Sequence, residues 1–340
     1  MTINNPVNGL ILAAGLGTRM KSSRAKVLHE VLFKPMILHV LDTLQALSLD
    51  HIYIIVGHQR EKVAALVAGY DAKCIVQEEQ LGTGHAVLCA ENELLAAGGT
   101  VLILSGDVPL IRAESLQAML SVHLERNPAL TLMTTILEDP ANYGRIVRDN
   151  QGRLQEITEE KDATEVQKKI REINAGIYCA EVPFLFNALK RVGSDNKQGE
   201  IYLTDIVRIA IGTGHKVDTY SGPGGEELLG INSQSELAAA NKYLQHQKNS
   251  RLMADGVSLT DPETVFIQNE VRIGSDTVIH ANVQISGTSI IGNNCAIGPD
   301  VVLHDCIIGD NVVIAPFSRL TSCSVPNNAA VAPHTNLKQN

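Results

Sequence analysis

The chain has 340 residues, which is enough for two domains with separate cores. Its composition, 44% hydrophobic and 19% charged, is ordinary for a soluble globular protein. The net charge of −9 argues against a nucleic-acid partner, because phosphate contacts need a broad basic face. No signal peptide and no apolar run of about 18 residues is evident, so we expect a cytoplasmic protein without a membrane partner. The six cysteines include no Cys-x-x-Cys pair, which argues against a zinc site or a disulfide framework.

The first element is the apolar segment Leu10–Ala14, whose lack of helical spacing predicts a strand covered on both faces. It leads into Gly15-x-Gly17, where glycine frees the backbone and removes Cβ atoms that would hold a ligand away. Four cations then follow before any acidic residue: Arg19, Lys21, Arg24 and Lys26. Open backbone N–H groups beside this charge predict a phosphate-binding loop, and a solvated basic loop without a ligand is the alternative.

The spacing of this loop does not fit two common nucleotide-binding motifs. Met20 stands where the dinucleotide fingerprint has its third glycine, and the P-loop spacing is absent. The run L-A-A-G-x-G-T-R-M…K over positions 12–26 instead resembles the signature of sugar-1-phosphate nucleotidylyltransferases.

Residues 7–110 alternate apolar strands with helical patterns, which is typical of βαβ units and a parallel sheet. Strand carboxyl ends converge on the ligand crevice of such a sheet, and this predicts one rim carrying Gly15, Gln77, Gly82, Thr83 and Asp107. Gln77 and Gly82 suit a base edge, because an amide donates and accepts and a glycine backbone approaches a flat ring closely. Asp107 ends a strand and is the candidate Mg²⁺ ligand.

Residues 129–230 look like an inserted or appended subregion that completes the pocket. Sugars need directional donors and acceptors, and this stretch supplies them from Glu159, Asn174, Tyr202 and Thr204. Taken singly, each of these residues is more typical of a cap or a turn than of a sugar contact. Apolar spacing then predicts a helix from about Ser235 to Leu252 that connects to a second domain.

From Val265 onward, aliphatic residues recur every six positions, with one deletion: Ile267, Ile273, Ile279, Ile285, Ile291, Ile297, Leu303, Ile308, Ile314 and Leu320. This is the hexapeptide repeat of a left-handed parallel β-helix, here of about three coils. An apolar end or side face would favour self-association, commonly as a trimer for this class.

The sequence therefore predicts an α/β fold with a Rossmann-like nucleotidyltransferase domain and a mostly parallel sheet, followed by a short left-handed β-helix. We expect the first domain over residues 1–232, a connecting helix over 233–254 and the β-helix over 255–340.

Both halves together closely resemble the bacterial bifunctional N-acetylglucosamine-1-phosphate uridylyltransferase / glucosamine-1-phosphate N-acetyltransferase family. The ordered motifs that carry the likeness are Leu12–Gly15, Lys26, Gln77, Gln80–His85, Gly106–Leu110, Tyr143–Ile146, Lys161–Thr164, Glu172–Asn174, Gln198–Glu200 and Asn232.

The resemblance implies roles for the matching positions. Uridine contacts fall on Leu12, Ala13, Ala14, Gly15, Gln77, Gly82 and Thr83, with Ser105 and Gly106 in the substrate-binding wall. The resemblance implies that Arg19 and Lys26 bind the phosphates and that these two residues and Asp107 are the catalytic residues. Sugar contacts fall on Gly144, Glu159, Asn174, Tyr202 and Thr204, and Mg²⁺ on Asp107 and Asn232. The implied substrates are UTP and N-acetyl-glucosamine-1-phosphate, and the implied assembly is a homotrimer through the β-helix.

The chain departs from the family pattern in three respects. Ser105 stands where the family often has tyrosine and Ala175 where it often has threonine, which puts sugar preference in question. The chain also stops at Asn340, short of the further coils that carry the family's acetyltransfer site. His280 and His304 are interpreted as solvent-facing, so we expect no acetyltransferase activity. A nucleotidylyltransferase for another sugar phosphate, a non-catalytic nucleotide-sugar-binding paralogue and an acyltransferase remain open.

Overall fold

The structure is a computed structural model that describes residues 5–338. These residues divide into two units. One unit contains the chain up to His29 together with Met36–Ser233, and the other contains Glu30–Pro35 together with the chain from Gln234 onward. Nothing in the sequence indicated that the short segment Glu30–Pro35 belongs with the carboxyl-terminal unit.

The first unit is built on a nine-stranded sheet. Its strands are β1 (Val7–Ala13), β4 (His51–Val56), β5 (Lys73–Val76), β6 (Thr100–Ser105), β7 (Leu130–Ile136), β8 (Arg145–Arg148), β9 (Leu154–Thr158), β10 (Glu172–Glu181) and β11 (Val217–Ser221). Between β1 and β4 in the chain, β2 (Glu30–Val31) and β3 (Lys34–Pro35) form a hairpin of the second unit.

The main path of the sheet runs β11-β7-β10-β6-β1-β4-β5, so β1 lies between β6 and β4. Of these seven described strands, β10 alone is antiparallel to its neighbours, which confirms the mostly parallel sheet. The carboxyl ends of β1, β4, β5 and β6 consequently meet at one edge. Strands β7 to β11, which lie within residues 129–230, extend this same sheet.

Helices cover both faces of the sheet. They are α1 (Met36–Gln45), α2 (Arg60–Val67), α3 (Thr83–Leu88), α4 (Glu91–Ala97), α5 (Ala113–Arg126), α6 (Val182–Leu189), α7 (Asp205–Gly212) and α8 (Gly225–Leu228). Strand side chains alternate between the faces, so Ile11 and Ile54 pack in one core while Leu10 and Ile55 pack in the other. Burial on both faces explains why the strands read as continuous apolar runs.

The second unit begins with α9 (Gln234–Ala254) and continues as a parallel β-helix. Its strands are β12 (Ser258–Leu259), β13 (Phe266–Ile267), β14 (Arg272–Ile273), β15 (Val278–Ile279), β16 (Gln284–Ser286), β17 (Ile290–Ile291), β18 (Ala296–Ile297), β19 (Val302–His304), β20 (Ile307–Ile308), β21 (Val313–Ile314), β22 (Arg319–Thr321), β23 (Ser324–Val325), β24 (Ala330–Val331) and β25 (Asn336–Lys338).

The three faces of the β-helix hold five, five and four strands within the described residues. The hexad aliphatics stack in register inside it, as where Ile285 pairs with Leu303 and Leu303 with Leu320. The expected three coils were too few. The strands from Ser258 and from Ser324 onward add coils at either end. Their residues at the repeat position are leucine or valine: Leu259, Val325, Val331 and Leu337.

Polar side chains of α9 cover the first coil of the β-helix. Asn249 Nδ2 donates to the carbonyl oxygens of Pro262 and Val265 at 2.8 and 2.9 Å, and Gln245 Nε2 donates to Val265 O at 2.7 Å. These bonds satisfy carbonyls that would otherwise be buried without a partner. None of the helices in residues 5–338 has both the length and the apolar character of a bilayer span.

Candidate active site

A cavity of about 230 Å³ lies where β1 and β6 end. Its walls are formed by Leu12, Ala13, Gly15, Gly17, Thr18, Arg19, Lys26, Val27, Ser105, Asp107 and Asn232. The basic loop, the aspartate after β6 and the distant Asn232 therefore share one cavity. Of the rim predicted from the convergence of strand ends, Gly15 and Asp107 line this cavity, whereas its lining does not include Gln77, Gly82 or Thr83.

The charged groups of this cavity form one hydrogen-bonded network. The Lys26 ammonium donates to Asp107 Oδ2 and, at 2.6 Å, to Asn232 Oδ1. Arg19 Nη2 donates to the same Asn232 oxygen at 2.6 Å. The side chains of Lys26 and Asp107 are only 13% and 14% exposed, so this ion pair is partly shielded from water.

Backbone contacts hold the loops that carry this network. Gly106 N donates to Leu12 O at 2.9 Å, which joins the end of β6 to β1. Ile231 N donates to Asp107 O at 2.9 Å, so the segment before Asn232 is fixed against the aspartate. Gly17 has φ of +61° and a Cβ there would lie 2.7 Å from Lys26 Cβ, so the loop requires glycine at that position.

A second cluster surrounds Gln77 at the end of β5. Gln77 is 4% exposed, and its Nε2 lies 3.3 Å from Gly82 O and 3.0 Å from His85 Nδ1. Gly82 has φ of +107°, and a Cβ there would lie 2.6 Å from Ile201 O. The glycine is therefore needed for close packing of the backbone, a role that the sequence did not indicate.

The loop after Gly82 is joined to the segment that carries Tyr202 and Thr204. Gly84 N donates to Ile201 O at 2.8 Å, and Leu203 N donates to Thr83 Oγ1 at 3.0 Å. Gln198 Nε2 donates to the Tyr202 hydroxyl at 2.8 Å, and burial raises the pKa of Tyr202 to about 12. Tyr202 thus carries a neutral hydroxyl at neutral pH.

The residues expected to contact sugar gather around Glu159. Thr204 Oγ1 donates to Glu159 Oε1 at 3.0 Å, and Asn174 N donates to Gly144 O at 2.9 Å. A Cβ on Gly144 would lie 3.6 Å from Glu159 Oε2 and 3.7 Å from Asn174 Cβ. Burial raises the pKa of Glu159, the Thr204 hydrogen bond opposes this, and the negative charges of Asp162, Asp205 and Glu200 reinforce it.

A β-bulge in β10 presents Asn174. The register of β10 against β7 shifts between Asn174 and Tyr178, and Gly176 within the bulge has φ of +72°. Asn174 Nδ2 donates to the Tyr178 hydroxyl at 2.5 Å, and its Oδ1 accepts from Gly176 N at 3.1 Å. Ala175 is 7% exposed in this bulge.

Matches to known protein families cover both units. The model of the MobA-like NTP transferase domain matches residues 9–173, and the model of the bacterial transferase hexapeptide, six repeats long, matches residues 270–305 and 288–322. A bifunctional protein GlmU from Desulfotalea psychrophila is 47% identical over 306 residues, which cover 90% of each chain. The chain belongs to the GlmU family. Proteins of that name from Geotalea uraniireducens and Listeria monocytogenes are 46% and 45% identical over 89% and 86% of this chain.

Length varies among these GlmU relatives. The chain spans 66% of the Geotalea protein and 64% of the Listeria protein, about two thirds of each. Among solved structures, a Bacillus anthracis protein assigned as a glucose-1-phosphate thymidylyltransferase, in complex with sucrose, matches with a TM-score of 0.57 and 21% identity over 69% of this chain and 94% of that one. That likeness concerns the fold. Membership in the GlmU family, with its NTP transferase domain, makes this chain a sugar-1-phosphate nucleotidylyltransferase.

Few side chains of this GlmU chain could hold a metal ion. No cluster of three or more His, Cys, Asp or Glu residues suited to a metal occurs in residues 5–338. Asp107 and Asn232 supply a carboxylate and an amide oxygen, and both oxygens accept hydrogen bonds from one ammonium group. The pair therefore suits a cation, with the remaining ligands left to water and substrate phosphates, as Mg²⁺ generally prefers.

Two positioning residues of this GlmU chain were not predicted from its sequence. Gln59 Oε1 accepts from Ala25 N at 3.1 Å, and its Nε2 donates to Ser23 O at 2.7 Å. The amide of this one side chain therefore forms two hydrogen bonds with the backbone of the basic loop. Arg145 is 2% exposed; it donates to Tyr143 O and, at 2.6 Å, to Glu160, which fixes the turn before Gly144. Arg145 lies in a quoted motif, whereas nothing in the sequence marked Gln59.

The two histidines considered for acetyl transfer lie in the β-helix. His304 is exposed at the end of β19, where its ring lies 3.1 Å from Asp305 Oδ2 and 2.9 Å from Ser286 Oγ. His280 is half-buried after β15.

Proposed function

We propose that this chain makes UDP-N-acetylglucosamine and pyrophosphate from UTP and N-acetyl-glucosamine-1-phosphate. The observation that supports it most is the shared cavity, in which Arg19 and Lys26 meet Asp107 and Asn232. Two anionic reactants repel each other, and such a cavity supplies the cations that bring them together. The GlmU relatives and the motifs quoted above support the choice of uridine and of an N-acetylated sugar.

In the proposed reaction, a phosphate oxygen of the sugar-1-phosphate attacks the α-phosphorus of UTP and pyrophosphate leaves. That oxygen is ionised near neutral pH, so no general base is needed. Arg19 and Lys26 hold the phosphates in line and neutralise charge on the leaving pyrophosphate. Asp107 and Asn232 would hold Mg²⁺, which when bound adds positive charge to the phosphate oxygens.

The two other clusters complete the proposed substrate site. Backbone groups of Leu12 to Gly15 with Gln77, Gly82 and Thr83 bind uridine beside Ser105 and Gly106. Gly144, Glu159, Asn174, Tyr202 and Thr204 bind the sugar. The hydrogen bonds that link the Gly82 loop to residues 201–204 support one continuous site, because they tie the proposed uridine contacts to the proposed sugar contacts.

Location, domain limits and assembly are part of the proposal. All six cysteines are free thiols in the described structure, which fits a reducing cytoplasm. We assign nucleotidyl transfer to residues 1–232, a connecting role to 233–254, and trimer formation to the β-helix of 255–340. Acetyltransferase activity is not part of the proposed function.

The test is a panel of nucleoside triphosphates and sugar-1-phosphates, with and without Mg²⁺, scored by pyrophosphate release. We expect UTP with N-acetyl-glucosamine-1-phosphate to give the highest kcat/KM and acetyl-coenzyme A to give no turnover. A different preferred pair would mean another sugar nucleotide. Binding of a nucleotide sugar without release of pyrophosphate from any substrate pair would mean a regulatory paralogue. Turnover of acetyl-coenzyme A would mean an acyltransferase.

Asp107→Ala is the sharpest variant for this panel. Removing one preorganised electrostatic group lowers turnover by about 10²-fold or more, so we expect at least that loss in kcat. Asp71→Ala is the matched control, because Asp71 is an exposed acid of the same unit outside the cavity. Near-normal turnover of Asp107→Ala would contradict the proposed mechanism.

A further inference from the structure

One ammonium group stands between the two oxygens that the proposed function assigns to a divalent cation. Lys26 Nζ donates to Asp107 Oδ2 and to Asn232 Oδ1, and Arg19 Nη2 donates to the same Asn232 oxygen. Lys26 and Asp107 are both largely shielded from solvent. The two oxygens that would bind the divalent cation therefore already accept hydrogen bonds from the Lys26 ammonium.

The lower part of the Lys26 side chain is fixed, whereas its charged end is not. Its Cβ, Cγ and Cδ lie 2.7, 3.5 and 3.5 Å from where a Gly17 Cβ would be, so the stem rests on the bare face of that glycine. The neighbouring Val27 and Leu28 are buried in the core and hold the backbone in place. A lysine terminus on such an anchored stem still has rotamers that move the ammonium by several bond lengths.

A divalent cation and the ammonium compete for the same oxygens. Like charges that share ligands in a partly desolvated cavity repel strongly, so binding of the metal at Asp107 and Asn232 requires the ammonium to leave. A phosphate group entering the cavity offers the ammonium an alternative acceptor.

We propose that Lys26 is a built-in competitor of the divalent cation: its ammonium occupies Asp107 and Asn232 in the nucleotide-free enzyme and leaves them when phosphate arrives. This inference rests on the proposed function insofar as it takes these oxygens as the metal site. Its consequence is that the free enzyme binds the metal weakly and that metal and nucleotide bind together.

The test is a Mn²⁺ titration of the full chain without nucleotide or sugar phosphate, followed by electron paramagnetic resonance of free Mn²⁺. Lys26→Met keeps the stem that packs on Gly17 and removes the ammonium. We expect its Kd for Mn²⁺ to be about tenfold lower than that of the wild type. Lys21→Met is the control, because it removes the same charge from an exposed position of the same loop, and we expect no change.

A double variant shows whether the tighter Mn²⁺ binding of Lys26→Met occurs at Asp107. Adding Asp107→Asn to Lys26→Met removes the carboxylate and should abolish the tighter binding. Thermal melting of each variant verifies folding, and Lys26→Gln replaces Lys26→Met if the latter melts early. Unchanged or weaker Mn²⁺ binding by the Lys26 variants would overturn the proposal, as would an equal gain in Lys21→Met or a gain that persists without Asp107.

The Mn²⁺ titration tests the competitor role of Lys26, and the substrate panel tests the proposed reaction, so either proposal can be wrong without the other. Normal pyrophosphate release without a Mn²⁺ gain would remove only the competitor role of Lys26. A Mn²⁺ gain without pyrophosphate release from any substrate pair would leave that role intact and remove the proposed reaction.

Discussion

Among single residues, Glu159 combines burial with negative charge from its neighbours. Its carboxyl is partly buried, and Asp162, Asp205 and Glu200 add negative charge nearby. Burial raises its pKa, so the folded state holds the proton more tightly than the unfolded chain does. Ionised Glu159 therefore destabilises the folded state. The free energy of unfolding falls as the pH rises through the raised pKa, because the folded state must then lose a proton that it binds more tightly than the unfolded chain does.

We therefore predict that Glu159→Gln raises the melting temperature at pH 8 and loses this advantage near pH 4, where the wild-type carboxyl is protonated. The amide retains an oxygen that can accept from Thr204. On the proposed function, the same variant weakens sugar binding and raises the KM for the sugar phosphate.

Asp149→Asn serves as a control. The Asp149 carboxylate accepts a hydrogen bond from the backbone N–H of Arg153, which lowers the pKa of Asp149. We therefore expect Asp149→Asn to lower the melting temperature at pH 8, the opposite of the shift in Glu159→Gln. A gain for Glu159→Gln that is independent of pH would contradict this account.

At the scale of elements, the basic loop depends on α2 for its shape. Gln59, just before α2, uses both ends of its amide on Ser23 and Ala25. Gln59 itself adopts φ of +54°, a conformation that non-glycine residues adopt only at some cost. The loop that carries Arg19 and Lys26 is consequently held by a residue more than 30 positions away in the chain.

We predict that Gln59→Glu loosens this loop. The carboxylate still accepts from Ala25 N but faces the Ser23 carbonyl with negative charge, so one of the two bonds becomes repulsive. Trypsin should cut at Arg19, Lys21 or Arg24 several-fold faster than in the wild type, with a rise in KM for UTP and little change in melting temperature. Lys62→Gln, an exposed change within α2, is the control. Unchanged proteolysis of Gln59→Glu would show that the clamp does not hold the loop.

At the scale of the whole molecule, the β-helix exposes small apolar side chains on one face. Val278, Ala296, Val313 and Ala330 stack in register and point outward, and Val313 is 50% exposed. Another face exposes Ile290 and Ile307 between Arg272 and Ser324. The longer uninterrupted apolar column favours the first face as the contact of the proposed trimer.

We predict that Val313→Lys converts the proposed trimer to monomers, as measured by light scattering after gel filtration. A charge in the middle of an apolar interface is left without a partner on association, which disfavours the trimer. Ile307→Lys adds the same charge to the other face and should leave the mass unchanged. If the wild type is monomeric, the trimer proposal is wrong, and if only Ile307→Lys dissociates it, the face assignment is wrong.

Both architectures could be predicted from the amino-acid sequence alone, because both depend on local periodicity. Strands buried on both faces read as apolar runs, as at Leu10–Ala14, and each six-residue side of the β-helix repeats the same inward aliphatic. The sequence also indicated the shared rim of Asp107 and the basic loop, since strand carboxyl ends meet at one edge of a parallel sheet.

The contacts that hold these parts together became visible in the folded chain and were not predicted from its sequence. The pairing of Lys26 with Asp107 and Asn232, the clamp of Gln59 and the packing of Gly82 against Ile201 join residues between 34 and 206 positions apart. Such contacts leave no period and no composition signal, because each involves a single pair of distant residues. The number of coils and the placement of Glu30–Pro35 were likewise settled by packing rather than by pattern.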